Sequence, residues 1–233
     1  MNVIITGGTK GIGRAIAEKF AAEGHDIITC SRNQQDLDEL VTTFKNQYPS
    51  ISVQVKVVHL EDVKQVKAFA NWILDLPVSP EILINNAGYF TPGTIQHEED
   101  GILEKMMEIN VYSCYQLIRL LLPAMIKNGK GHIFNLCSVA SFKGLANVGA
   151  YGISKFALLG LTKHLREEMK SYSIKVTAVS PGATFSASWE GEDIDPERIM
   201  DAKDVATMVY ASSQLSAKAV VEDIIMRPQL GDL

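Results

Sequence analysis

Several features that would assign a chain to a specialised class are missing from this sequence. The three cysteines, Cys30, Cys114 and Cys137, lie far apart and include no CxxC pair, which argues against a disulfide framework and suits a reducing compartment. The five histidines form no HExxH or comparable cluster, so we expect no metal site. No apolar run approaches the roughly 18 residues of a membrane span, and the chain opens without a signal-peptide pattern. We therefore expect a soluble, cytoplasmic protein that does not bind membranes.

An excess of positive charge is missing as well. The chain has 22 Lys and Arg against 27 Asp and Glu, a net charge of -5, which argues against a protein that holds nucleic acid mainly through phosphate contacts. Its 233 residues, of which 46% are hydrophobic and 21% charged, are enough to bury a substantial core. No repeat, low-complexity segment or Gly/Ser linker divides the chain. We expect a single domain over residues 1–233.

Short β-branched runs alternate with longer helical patterns from end to end. The runs are apolar along their whole length, which is typical of strands in a parallel sheet covered by helices on both faces. The predicted strands are Asn2–Thr6, Asp26–Cys30, Val53–Val58, Glu81–Asn85, His132–Cys137, Ile174–Val179 and Val220–Met226. The predicted helices are Ile12–Glu23, Gln34–Gln47, Asp62–Leu74, Gly101–Lys127, Tyr151–Ser171 and Ala202–Gln214. Residues 182–200 show no clear period and are long enough for a lid or binding loop.

A glycine-rich turn, TGGTKGIG over residues 6–13, follows the first strand and precedes the first helix. Glycines let the backbone approach a pyrophosphate closely, and a helix N-terminus supplies free N–H groups and a favourable dipole. The spacing is neither the strict GxGxxG of two-domain dehydrogenases nor a P-loop. A tight turn without a ligand is the alternative interpretation.

The end of the second strand reads Cys30-Ser31-Arg32-Asn33 and indicates which dinucleotide would bind. NAD enzymes usually have an acid there, about 20 residues after the glycines, to hold the ribose 2′-hydroxyl. Here Arg32, together with Lys10, offers positive charge to a 2′-phosphate. This pattern favours NADP(H), and a surface arginine at a strand end is the alternative.

The stretch YGISK places Tyr151 and Lys155 four residues apart. On a helix both groups would lie on one face, about 6 Å apart along the axis. A nearby cation favours the ionised form of a phenol, which would let such a group exchange a proton near neutrality. Ser138, 13 residues before the tyrosine, could present a hydroxyl to the same substrate oxygen. An ordinary amphipathic helix is the alternative.

Three weaker signals occur at the ends of later strands or in a helix. Asn85-Asn86-Ala87-Gly88 closes the fourth strand, Asn110 lies within a helical run, and Pro181-Gly182 follows the sixth strand. Each could be a turn, a tolerated amide or chain punctuation. Together they lie where ligands bind in open α/β sheets, outside the carboxyl ends of the strands.

TGGTKGIG, NNAG, Asn110, Ser138, YGISK and the Pro-Gly turn, in this order, resemble the short-chain dehydrogenase/reductase family over most of the chain. Within that family the chain ending looks most like bacterial sepiapterin-reductase-type members. The resemblance implies a single doubly wound Rossmann domain with a seven-stranded parallel sheet. It also implies an NADP(H)-dependent enzyme acting on a small-molecule carbonyl or alcohol, and a homodimer or homotetramer that pairs through residues 101–127 and 151–171. A non-catalytic dinucleotide-binding sensor on the same fold is the alternative function.

The resemblance also implies roles for individual residues. Tyr151 would protonate the carbonyl oxygen, Ser138 would hold it, Lys155 would bind the nicotinamide ribose and make the phenol easier to ionise, and Asn110 would order a relay water. Ser141 is a rival hydroxyl that does not match the motif. The residues implied to bind the cofactor are Gly7, Thr9, Lys10, Gly11, Ile12, Gly13, Ser31, Arg32, Asn33, His59, Leu60, Asn86, Ala87, Gly88, Tyr151, Lys155, Pro181, Gly182, Thr184 and Ser186.

Two positions depart from the family pattern. His59-Leu60 stands where the family usually has an aspartate near the adenine, and Ser186 replaces a common threonine. Trp189 is the expected aromatic wall of the substrate site. The acids Glu190, Glu192, Asp193 and Asp195 would bind a cationic or pterin-like group or, as the favoured interpretation, form a solvated loop face.

Overall fold

The computed structural model describes residues 1–185 and 195–231. Within these residues, seven strands form one sheet in the order β3-β2-β1-β4-β5-β6-β7, and every neighbouring pair is parallel. The predicted seven-stranded parallel sheet of a single Rossmann-like domain is thereby confirmed. The strands are β1 (Asn2–Thr6), β2 (Asp26–Ser31), β3 (Val53–Val57), β4 (Ile82–Asn85), β5 (Gly131–Leu136), β6 (Ile174–Pro181) and β7 (Asp223–Met226).

Helices connect the strands and cover both faces of the sheet. The α-helices are α1 (Gly11–Ala22), α2 (Gln34–Gln47), α3 (Val63–Asp75), α4 (Ile102–Met107), α5 (Ser113–Lys127), α6 (Gly149–Met169) and α7 (Ala202–Ser213). A π-helical segment, Glu108–Tyr112, joins α4 to α5, and short 3-10 turns cover Val139–Ser141, Lys170–Tyr172 and Pro196–Arg198.

The alternating side chains of each strand supply two separate cores. In β1, Ile4 points into the core under α3, α5 and α6, whereas Val3 and Ile5 point into the core under α1, α2 and α7. All three side chains are fully buried. Because both faces of such a strand pack against an apolar core, apolar residues are favoured at successive positions. This explains the continuous apolar runs in the sequence.

The structure corrects three of the predicted element boundaries. The long helix predicted for residues 101–127 is interrupted at Glu108–Tyr112, where the backbone winds into a π-helix. Strand β6 extends to Pro181, which pairs with Met226 at the end of the ladder, where its missing N–H costs little. Strand β7 begins only at Asp223, because the carbonyl of Val221 accepts a hydrogen bond from the Thr177 side chain (2.6 Å) instead of joining the ladder.

One helical stretch, residues 102–127, is long and apolar enough by composition to span a membrane, which the reading of the sequence did not anticipate. Half of its most apolar window is buried inside the domain. Leu117, Ile118 and Leu121 face the core under α3. Core helices of soluble proteins have the same composition, so this stretch is weak support for a membrane segment.

The chain order of the sheet reverses between β1 and β4, which are adjacent although β2 and β3 lie between them in sequence. Ligands of open α/β sheets bind at such a switch point, outside the carboxyl ends of the strands. The glycine-rich turn leaves β1 at this edge, and the NNAG segment leaves β4 beside it.

Candidate active site

The glycine-rich turn adopts backbone conformations that would be strained for residues other than glycine. Gly7 and Gly11 have positive φ angles of 68° and 54°, a region that side chains with a Cβ rarely adopt. A Cβ on Gly13 would lie 2.3 Å from both the Gly7 carbonyl oxygen and Asn86 Nδ2. The turn and the start of α1 are therefore packed without room for a side chain at this position.

The NNAG segment fastens the turn from the neighbouring strand. Asn86 Nδ2 donates to the carbonyl oxygens of Thr6 (3.0 Å) and Gly7 (3.1 Å). The Thr6 hydroxyl oxygen accepts from the backbone N–H groups of Asn86 (3.1 Å) and Ala87 (3.0 Å). Thr6 is thus a site residue that sequence reasoning missed, because a threonine at a strand end resembles any other β-branched strand residue.

A second threonine supports the same turn from β2. The Thr29 hydroxyl donates to the Ile5 carbonyl (2.7 Å) and accepts from the Gly8 N–H (3.1 Å). A Cβ on Gly8 would lie 2.5 Å from that hydroxyl oxygen. Thr29 is fully buried, and no motif in the sequence marks it.

The N-terminus of α1 is suited to an anion. Lys10 is the N-cap residue, no side chain caps the helix, and its first turn contains no acidic residue. By contrast α2, α3 and α7 are each capped by an Asn or Asp side chain. The free N–H groups of α1 and the positive end of its dipole are therefore available to a phosphate group.

The end of β2 lies beside this anion site. The Thr9 hydroxyl is 3.3 Å from Ser31 Oγ, and Arg32 is exposed to solvent. The Asn33 side chain caps α2 by accepting from the backbone N–H groups of Gln35 and Asp36, so its carbonyl oxygen is already occupied. Lys10 Nζ lies 3.1 Å from a carboxylate oxygen of Asp36, while 61% of the Lys10 side chain stays exposed.

The two residues expected near an adenine differ in exposure. Leu60 is buried in the core under α3, which leaves it little surface for a ligand. The His59 side chain is about half exposed, with Nδ1 3.5 Å from a Glu61 carboxylate oxygen, and its backbone N–H donates to Gln65 (2.9 Å). Their contact with a cofactor stays a prediction.

Helix α6 carries Tyr151 and Lys155 on one face, as the spacing predicts. Lys155 Nζ lies 5.6 Å from the centroid of the Tyr151 ring. The lysine is 5% exposed and donates to the Leu136 carbonyl at the end of β5 (2.7 Å). This bond uses one of the three N–H donors of the ammonium, and a Cβ on Gly88 would lie 3.7 Å from the same nitrogen.

Ser138 follows β5 two residues after Leu136 and begins the 3-10 turn. Its Oγ accepts from the Ala140 N–H (3.1 Å), which leaves the hydroxyl hydrogen for another acceptor. The rival hydroxyl of Ser141 is 1% exposed and accepts the Ser138 N–H (3.1 Å), so it supports the turn from inside. Burial raises the pKa of the adjacent Cys137 thiol to about 11, which keeps it protonated at neutral pH.

Asn110 lies in the π-helical segment and is 2% exposed. Its Nδ2 donates to the Tyr89 carbonyl (3.0 Å) and to Ser154 Oγ (2.9 Å), and its Oδ1 accepts the Tyr89 N–H (2.7 Å). Both amide hydrogens are thus occupied by protein groups. The side chain ties the segment after β4 to α6, and its predicted role in ordering a water is not tested by these contacts.

The aromatic neighbour of Tyr151 is Phe90, whose ring packs edge-on at a centroid distance of 4.9 Å. Phe90 is 38% exposed, so part of its ring is accessible to solvent beside the tyrosine. Sequence reasoning missed it, because an aromatic residue in a loop has no periodic pattern to place it.

The residues after β6 are only partly described. Gly182 N–H donates to the Met226 carbonyl (2.8 Å), and the Thr184 hydroxyl donates to the Gly182 carbonyl (3.0 Å). Thr184 is 4% exposed, which favours a structural role for its hydroxyl. Ser186, Trp189, Glu190, Glu192 and Asp193 lie outside the described residues. Asp195 is described and exposed, as a solvated loop face predicts.

The described part of the chain contains no group of three or more His, Cys, Asp or Glu side chains that could hold a metal ion.

Several curated proteins are similar to this chain over most of its sequence, and two of them serve as examples. An uncharacterized oxidoreductase of Staphylococcus epidermidis is 30% identical over 97% of this chain and 96% of its own length. A 3alpha-hydroxysteroid dehydrogenase of Mediterraneibacter gnavus is 33% identical over 78% of this chain and 72% of its own length.

The fold has solved counterparts. L-sorbose reductase from Gluconobacter frateurii, complexed with NADPH and L-sorbose, matches with a TM-score of 0.89 and 25% identity over 97% of this chain and 95% of its own. The family model described as short chain dehydrogenase matches residues 1–195. This chain is therefore an oxidoreductase that belongs to the short-chain dehydrogenase family.

Proposed function

We propose that this protein is an NADP(H)-dependent carbonyl reductase or alcohol dehydrogenase. The observation that carries the proposal is the placement of Tyr151 and Lys155 on one face of α6, where the lysine is bonded to the β5 carbonyl two residues before Ser138. The lysine anchor at the carboxyl end of β5 therefore brings the phenol and the ammonium to the part of the sheet from which Ser138 leaves.

The residues at this edge suit a dinucleotide. The free N–H groups at the start of α1 would hold the pyrophosphate. Arg32 and Lys10 would hold a 2′-phosphate, because Arg32 directly follows β2 and the carboxylate of that strand, Asp26, lies at its opposite end. The two remaining N–H donors of Lys155 would bind the nicotinamide ribose. The NADPH held by the Gluconobacter frateurii reductase supports this assignment.

The proposed reaction needs few groups from the protein. When bound, the nicotinamide supplies a hydride to the carbonyl carbon. The Tyr151 hydroxyl transfers its proton to the carbonyl oxygen, which becomes the alcohol. Ser138 donates a hydrogen bond to the same oxygen, and the Lys155 ammonium lies 5.6 Å from the centroid of the Tyr151 ring. Pro181, Gly182 and Thr184 would border the nicotinamide.

The substrate is proposed to be a small-molecule carbonyl or secondary alcohol. A sepiapterin- or diketone-type substrate is the finer proposal, and the aromatic Phe90 beside Tyr151 is compatible with a ring-shaped substrate. We further propose a single-domain, cytoplasmic enzyme without nucleic-acid or membrane partners.

We also propose a homodimer or homotetramer. Large apolar side chains on the helices predicted to pair are exposed: Tyr112 by 56%, Tyr115 by 41%, Ile153 by 45% and Phe156 by 47%. Such a surface is typical of an interface. The molar mass in solution, measured by light scattering, tests this, and a monomer at micromolar concentration would contradict it.

The decisive assay is oxidation of NADPH and NADH by the purified protein with a panel of ketones, diketones and sepiapterin. We expect turnover of at least one carbonyl compound, faster with NADPH. Tight NADPH binding without turnover of any of them would favour the sensor function instead.

A further inference from the structure

Helix α6 is capped by a residue that is remote in sequence. Helices α2, α3 and α7 are each capped by the side chain of the residue directly before them, but α6 follows Val148, which has no polar side chain. The N–H of Ala150 instead donates to Glu98 Oε1 at 2.8 Å. A carboxylate 52 residues away in sequence therefore caps the helix that carries Tyr151.

The segment containing Glu98 is also attached to this helix start by its backbone. Gly93 N–H donates to the Asn147 carbonyl (2.9 Å), and Gly149 N–H donates to the Gly93 carbonyl (3.0 Å). Asn147 has a positive φ of 59°, a conformation that asparagine tolerates better than most residues. A Cβ on Gly149 would lie 2.7 Å from Ile95 Cγ1 and 3.2 Å from Glu98 Oε1, so the two segments are in close contact.

The other end of the same segment is held by Asn110, which bonds both the N–H and the carbonyl of Tyr89. Phe90, the next residue, packs on the Tyr151 ring. Residues 89–98 therefore bridge the π-helical segment and the first turn of α6. Tyr151 is the third residue of that helix, within the part that loses its order first when a cap is removed.

We propose that Glu98 is a positioning residue for Tyr151, a role that rests on the proposed function. Its carboxylate fixes the first turn of α6 and joins that turn to the segment carrying Phe90. The phenol and its aromatic neighbour are then held in one geometry before a substrate arrives. Lys155 lies a turn further along and has its own anchor at Leu136, so Glu98 acts on the proton donor and not on the cofactor.

The test compares three variants. Glu98→Ala leaves the Ala150 N–H without its acceptor, and we expect kcat to fall about tenfold, since a misplacement of about 1 Å costs up to about a hundred-fold. The Kd for NADPH should stay within about twofold, because the cofactor contacts lie elsewhere. Glu98→Gln keeps an acceptor oxygen and should recover most of the lost kcat. Glu99→Ala, the neighbouring exposed acid, is the matched control and should behave like the starting protein.

Hydrogen exchange separates positioning from a general loss of stability. In Glu98→Ala we expect faster exchange in residues 149–152 and unchanged exchange in the second half of α6. A lower melting temperature with normal kcat would overturn the proposal, as would a Glu98→Gln protein as slow as Glu98→Ala. If the starting protein oxidises no NADPH, the proposed function fails, and the exchange at residues 149–152 alone decides whether Glu98 holds the helix start.

Gly149→Ala provides an independent variant. The new methyl group would push Ile95 and Glu98 away from the helix start, so kcat should fall as in Glu98→Ala. Gly160→Ala, in the same helix with open space around it, is its control. Equal kcat values for the two glycine variants would contradict the proposed contact.

Discussion

The two ends of the candidate site are built in different ways. At the dinucleotide end, the turn, the helix start and the cation at β2 come from residues 6–33, two consecutive strand-helix units. At the carbonyl end, Ser138, Tyr151 and the segment 89–98, which carries Phe90 and Glu98, come from three parts of the chain. Phe90 contacts the Tyr151 ring and Glu98 caps the helix that carries it. The first end depends on the local backbone geometry of its glycines, with support from Thr29 and Asn86 on the neighbouring strands. The second end depends on how remote segments hold one helix.

The largest effect on cofactor binding is expected at the dinucleotide end, in Gly13→Ala. The new Cβ would lie 2.3 Å from a backbone carbonyl oxygen, which cannot be relieved by a side-chain rotation. We expect NADPH affinity to fall at least about a hundred-fold, with destabilisation of about 1–3 kcal/mol. Isothermal titration and thermal unfolding measure both, with Gly160→Ala as the control. Unchanged affinity would show that this turn is not the cofactor site.

Arg32→Asp changes the same end without altering its backbone. Reversing the charge removes a charge-assisted contact worth about 1.5–3 kcal/mol, so the Kd for NADPH should rise about 10- to 100-fold. The Kd for NADH should change little. Lys45→Asp makes the same charge change at the far end of α2 and should affect neither. Equal losses of affinity for NADPH and NADH would contradict the assignment of Arg32 to a 2′-phosphate.

A substitution in a third region, at the amino end of β5, should change the stability of the protein without changing either end of the site. His132 is 4% exposed, and its Nε2 bonds the Thr177 hydroxyl (2.8 Å) while its buried Nδ1 has no partner in the described part of the chain. Burial, with a smaller effect of the Lys175 ammonium, lowers the pKa of His132 from 6.5 to about 3.

Because the folded-state pKa of His132 is depressed, the unfolded chain binds this proton first and stability falls as the pH drops below about 6.5. The free energy of unfolding that the neutral His132 contributes falls by up to about 1.4 kcal/mol per pH unit, until the folded state also binds the proton near pH 3. In His132→Phe, the free energy of unfolding measured with urea should depend less steeply on pH between 6.5 and 4.5 than it does in the starting protein. Identical slopes would refute the buried neutral imidazole.

The smallest effect is expected from Asp36→Asn. The Asp36 carboxylate holds Lys10 at 3.1 Å and adds negative charge beside the expected 2′-phosphate. Exposed ion pairs contribute about 0.2–1 kcal/mol, so releasing Lys10 should tighten NADPH binding by up to about fivefold. Asp38→Asn, one residue beyond the first turn, is the control. Weaker NADPH binding in Asp36→Asn would place Lys10 outside the phosphate contact.

The difference between local patterns and long-range contacts also explains what the sequence predicts. Strand β1 and helix α2 have the predicted bounds, and the seven-stranded parallel sheet agrees with the expected fold, because buried strands and capped helices have local patterns. The π-helical segment at Asn110 has no such pattern, since it differs from an α-helix by one hydrogen-bond register. Thr29 and Glu98 act across 21 and 52 residues, distances at which no spacing rule applies.

The most direct test of the whole account is the pair of values kcat and NADPH Kd for Tyr151→Phe. Removing one hydroxyl takes away the proton donor and leaves the ring, its contact with Phe90 and the cofactor end in place. We predict a kcat lower by about a hundred- to ten-thousand-fold, with an NADPH Kd within about threefold of the starting protein. A variant that retains a substantial share of the starting kcat would contradict the assignment of Tyr151 as the proton donor.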